Sequence, residues 1–164
     1  MTQLGPSPSS DASADGVTLR LLWPQWQGAG TSSVQALAPE FPFEVARRGY
    51  AVGSAVLAAV LPVNQGPTAA APVAMDDTGL ELADGIEAKQ VILTQLAQAL
   101  AVIREHDPAR IVTLGGECAV SVAPFSALAR RYGQDLAIVW IDSTLTSVPR
   151  PASTRGSTPW PWPR

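Results

Sequence analysis

A pair of adjacent glycines, Gly115-Gly116, lies between a short apolar run and a helical pattern, and this junction restricts the fold more than any other feature of the chain. Residues 111–114 and 136–141 are short, apolar and rich in β-branched side chains, the composition of strands covered on both faces. A helical stretch lies between them, with Gly133 just past Tyr132, where a helix-ending glycine belongs. Strand, glycine turn, helix and strand make a βαβ unit, and its crossover is expected to be right-handed. Ligands of such sheets collect beyond the carboxyl ends of the strands. Cys118, just past the first strand, and Asp142, at the tip of the second, are therefore the residues placed to carry chemistry.

At 164 residues the chain suits one domain with a real core. Its charged fraction is 15% and its net charge is −3, which argues against nucleic acid or an anionic membrane as partner. No apolar run reaches the roughly 18 residues of a membrane span. The start of the chain lacks a basic, then apolar, secretion signal. A single cysteine excludes an internal disulfide and fits a reducing cytosol, so a soluble cytoplasmic protein is expected.

Residues 1–16 are Ser, Pro, Ala and Asp in the main and read as a disordered lead-in. Residues 17–23 (VTLRLLW) read as the first strand, ended by Pro24, with a loop following. Ser32 or Ser33 can cap a short helical turn that runs to Ala38. Residues 43–61 mix a helical pattern with a β-like ending, and the tail reads as a second strand. Residues 64–78 read as an irregular connection. Asp84 and Glu87 resemble a capping box, and Ile86, Leu93, Leu96, Leu100 and Ile103 then mark one helical face. Asp107-Pro108 ends that helix. The order αβαβ implies a parallel α/β sheet.

After Ser143 the pattern breaks. Pro149, Pro151, Pro159, Pro161 and Pro163 interrupt a stretch with no acidic residue and no apolar period, in which Trp160 and Trp162 stand between prolines.

The run LGGECAVSVAPF after a strand, a helix ending ARRYG, and then DLAIVWIDS resembles the ureohydrolase family of arginases and agmatinases. The likeness is carried by residues 110–143. It implies a three-layer α/β/α fold with a parallel sheet, here partial over residues 17–143 and incomplete at the C-terminus. It also implies two Mn²⁺ ions that generate a hydroxide attacking a small guanidino or amidino substrate, and it leaves a homo-oligomer open. Two adjacent metals lower the pKa of a bridging water and stabilise the developing charge. The family shows Gly-Gly-Asp-His at the first place and Asp-Ala-His-x-Asp at the second. Gly115 and Gly116 match as motif-supporting residues, but Glu117 stands for the aspartate and Cys118 for the histidine. Thiolate shifts the metal preference from Mn²⁺ toward Zn²⁺. Asp142 matches as a metal ligand and Ser143 as the small residue, whereas Thr144 and Thr146 stand for the histidine and second aspartate. Such a chain is expected to be inactive, with no catalytic residue of its own.

One account of residues 144–164 is a reading-frame slip just after Ser143. Loss of one base turns a histidine codon at 144 into Thr, Ile or Met, and an aspartate codon at 146 obeys the same restriction; both positions are threonine. Two readings of other classes stand beside it. A non-catalytic relative that binds a small molecule or partner subunit fits the Glu117-Cys118 change, which lies upstream of any slip. A cysteine-dependent hydrolase would use Cys118, whose thiol a strand-to-helix turn can activate, yet Val120 stands where a nucleophile elbow wants glycine. His106, the chain's one histidine, reads as a polar group at a helix end. Gly115-Gly116 lacks the further glycines or lysine of a phosphate loop.

Overall fold

A computed structural model describes residues 16–141. Strand β1 (Thr18–Trp23) leads to helix α1 (Thr31–Leu37) and the long helix α2 (Phe43–Val60). Strand β2 (Thr68–Ala70) follows, then a small hairpin of β3 (Leu82–Ala83) and β4 (Ile86–Glu87). Helix α3 (Lys89–His106), strand β5 (Arg110–Gly115), a 3₁₀ turn (Cys118–Ser121) and helix α4 (Val122–Tyr132) complete the order, before a last 3₁₀ turn (Gly133–Asp135).

The main sheet has the order β2-β1-β5 and is parallel throughout, with Leu21 beside Ala69 and Thr113. Side chains alternate along β1, so Leu19, Leu21 and Trp23 share a face and are almost fully buried. Ala99 and Ile103 of α3 and Ala123 of α4 close over that face. Helix α2 packs against β5 and β1 outside this cluster, where Ser54 Oγ donates to the Leu114 carbonyl at 3.1 Å. Helices thus lie on both faces of a parallel sheet, which is the α/β architecture expected from the sequence.

The first strand, the strand before the glycine pair and the helix after it all form where expected. Helix α3 ends at Asp107, and Gly133 closes α4 with a φ of 55°. Five expectations need correction. The tail of 43–61 is not a strand: α2 is helical without a break to Val60, because Arg47, Ala51 and Ser54 recur on its inward face and Pro62 lies beyond its end. The connection 64–78 contains β2, a strand too short for periodicity to reveal. Asp84 does not cap a helix. It forms with Gly85 a two-residue hairpin turn in which both residues have positive φ (52° and 77°), as an Asp-Gly type I′ turn requires. Glu87 is accordingly in β4, and α3 begins at Lys89 after Ala88, a buried left-handed residue. The short helix α1 likewise starts at Thr31 behind Gly30, with no side-chain cap from Ser32 or Ser33.

The fifth correction concerns residues 136–141, which pair with no strand among the described residues. Leu136, Ile138 and Trp140 instead face α4, where the Trp140 ring meets Phe125 edge-on at 6.2 Å. A strand exists only where a neighbour takes up its backbone groups, and apolar composition alone does not supply one. Asp142, Ser143, Thr144, Thr146 and the tail 144–164 lie outside the described residues, as does the lead-in up to residue 15.

Candidate functional site

Because β1, β2 and β5 are parallel, their carboxyl ends open on one side of the molecule. Three connections meet there: residues 24–30 after β1, residues 71–75 after β2, and Gly115-Gly116-Glu117-Cys118 after β5. The glycines make the meeting possible. A Cβ on Gly116 would overlap the backbone carbonyl of Gln25, and one on Gly28 would run into the Glu117 carboxylate. Close approach of two backbones, rather than phosphate binding, is what the glycine pair supports.

Glu117 is the best-defined of the expected site residues. Its Oε2 accepts the Ala119 N–H at 2.7 Å, capping the 3₁₀ turn that carries Cys118. Its Oε1 is buried with no hydrogen-bond partner. Burial pushes the carboxyl above its ordinary range, with the Ala119 N–H opposing. The Cys118 thiol is exposed. His106 lies at the other end of β5, a strand about 20 Å long at the usual rise per residue. The only imidazole in the chain is thus far from the thiol, where it cannot act as its base.

The β1 connection holds residues to which sequence reasoning assigned no role. Gln25, Trp26 and Gln27 are each almost fully buried. Gln25 Nε2 donates to Gln95 Oε1 of α3 at 2.8 Å. Trp26 Nε1 and Gln27 Nε2 both donate to the Ala74 carbonyl, at 2.9 and 2.8 Å, tying this loop to the end of β2. The Arg47 guanidinium donates to the Gln27 carbonyl and sits over the rings of Trp26 and Phe43, 5.6 and 5.3 Å from their centroids. Glu87 lies 3.8 Å away. Burial pulls the Arg47 pKa below its usual value while Glu87 and Asp77 oppose, and a guanidinium remains charged under such conditions. Arg48 covers the Trp26 ring from 5.0 Å and pairs with Asp77 at 2.7 Å. The signal that marked this loop was its position: a Gln- and Trp-bearing stretch directly after a parallel strand.

Among the described residues the arrangement does not fit a pair of manganese ions. Among the described residues no group of three His, Cys, Asp or Glu side chains comes together. The carboxylate at 117 turns back onto Ala119 and Gly28, and the residue at 118 is a soft, exposed thiol where hard ligation is wanted. Gly115, Gly116, Glu117 and Cys118 are brought together; Asp142 is outside the described residues.

A parallel sheet with helices on both faces and a glycine turn at its open end defines a three-layer α/β protein. The family model of the arginase family matches residues 46–145, more than half of the chain, and the chain belongs to that family. The matched span runs from α2 through the glycine pair and excludes β1 and its buried loop. No curated protein matches the chain. No helix among the described residues is long and apolar enough to cross a membrane.

Proposed function

We propose that this chain carries the architecture of a binuclear-manganese hydrolase of guanidino or amidino C–N bonds without catalysing that reaction as written. The observation that carries this reading is the Glu117 carboxylate, whose Oε2 caps a helical turn while the group is buried against Gly28. Membership of the arginase family supports the ureohydrolase class. A reducing cytosol suits its single, exposed thiol.

The same reading attributes residues 144–164 to a frame slip after Ser143. The family match stops at 145, two residues past the point where the apolar patterning breaks, and Thr144 and Thr146 both satisfy the codon restriction that a lost base imposes.

The test is to express the chain as written, load it with excess MnCl₂, and measure bound metal and urea release from arginine and agmatine. The expected result is less than about one Mn²⁺ per chain and no urea, because the hard ligands that Mn²⁺ prefers do not converge. Two tightly held ions with turnover would overturn it. Resequencing the gene through codon 143 tests the tail separately: a downstream frame that encodes His and Asp at 144 and 146 is expected, and its absence removes the slip.

A further inference from the structure

The two edges of the main sheet are built differently. The β2 edge is three residues long, with Pro67 just before it and Pro72 just beyond, devices that deter pairing with another strand. The β5 edge is six residues long and contains no proline. The Arg110 N–H donates to the Val17 carbonyl of the β1 side at 3.3 Å. Backbone groups alternate in direction along a strand, so the N–H groups of Ile111 and Thr113 point the other way, to the outer edge. No strand among the described residues pairs with that edge.

The same chain holds a matching strand-shaped piece. In residues 136–141 the side chains alternate, with Leu136, Ile138 and Trp140 lining a groove of about 790 Å³ beside Val122, Phe125 and Ala129 of α4. The intervening Val139 and Ile141 are 80% and 92% exposed. This is an apolar segment with period two and no ladder partner among the described residues. The segment lies against α4, to which the Gly133–Asp135 turn connects it.

We propose that two copies of this chain exchange residues 136–141, each segment adding as a parallel strand to the outer edge of β5 in the other copy. The occupant follows from the pairing rules: among the described residues every copy carries one open edge and one unpaired apolar segment, so a two-fold exchange satisfies both and closes on itself. The parallel direction is the one a helical connection such as α4 delivers. Exchange also covers the exposed Val139 and Ile141, an apolar patch that water disfavours.

The test uses the full chain and two variants in light scattering after gel filtration, across about 1–100 μM. Val139→Lys with Ile141→Lys disables the donated strand and raises the dimer dissociation constant at least about tenfold. Thr113→Pro removes one outward N–H without touching the β1 ladder, and disables the accepting edge; Ile111→Pro serves if Thr113→Pro lacks native circular dichroism. Each variant alone is expected to be monomeric, and an equimolar mixture recovers a dimer through the one intact strand–edge pair. Concentration-dependent hydrogen-exchange protection of the Ile111 and Thr113 amides accompanies dimerisation of the unaltered chain. A monomer throughout, a monomer whose Ile111 and Thr113 amides are protected by its own segment, polydisperse aggregates, or a mixture that stays monomeric would each overturn the exchange. These outcomes are independent of metal binding and turnover.

Discussion

The loop after β1 and the segment after α4 invert the usual relation between composition and burial. Gln25 and Gln27 are amides, yet they are buried beneath the carboxyl ends of the strands, whereas Val139 and Ile141 are aliphatic and stand in solvent. The difference lies in partners. The loop finds Gln95, Ala74 and Arg47 to receive or supply its hydrogen bonds, and Gly116 and Gly28 let the backbones close. The segment finds only one face of α4, and its backbone meets no ladder among the described residues. Burial follows position in the fold when most polar groups find partners there, although Gln25 Oε1 and Gln95 Nε2 are buried without one.

This contrast can be broken at its buried end first. Trp26→Ala removes a fully buried ring that packs under Arg47 and Arg48 and anchors the loop to Ala74, and it should cost about 3–5 kcal/mol in urea unfolding. A loss below about 1 kcal/mol would mean that the loop is held by its backbone alone.

Glu117→Gln sharpens the electrostatic side. The folded carboxyl has a raised pKa, so the native state binds more protons than the unfolded chain between the two values. The stability this group confers is full below the unfolded value, about 4.3, and is lost as pH rises through the folded one. The glutamine keeps an oxygen for the Ala119 cap but cannot ionise. Its stability relative to the unaltered chain should therefore improve as pH climbs through that window and level off above it. Denaturant melts at several pH values check this, and a difference that is flat or of opposite slope contradicts the burial of Oε1.

The smallest effect belongs to the exposed segment. In dilute, monomeric protein Val139→Lys should change unfolding free energy by less than about 0.5 kcal/mol, since its side chain gives up almost no contact. A large loss there would show that the monomer itself buries this strand.

Much of the fold could be read from residues alone. The alternation of residues 17–23, the β-branched run before Gly115, the stop at Asp107-Pro108 and the glycine after Tyr132 each report a local steric or hydration rule, and each feature formed in place. The arginase-family likeness rested on the same junction, and the family match includes it. Errors arose where two local rules competed. Asp84 followed three residues later by Glu87 satisfied the capping pattern, but Asp84-Gly85 also satisfied the hairpin turn, and the hairpin won because both residues adopt positive φ. The tail of α2 could have been strand or helix by composition, and only the inward series Arg47, Ala51 and Ser54 decided it.

Local chemistry by itself determined the parallel α/β class, the strand–glycine–helix junction and the place where Glu117 and Cys118 would stand, because periodicity, turn sterics and capping act over a few residues. Tertiary structure alone decided that Gln25 and Gln27 are buried, that the Glu117 carboxylate packs against Gly28, and that residues 136–141 lie along α4 with no ladder partner among the described residues. Those outcomes depend on which backbone groups distant segments offer one another, and hydrogen-bond partners many residues apart leave no mark in a local pattern.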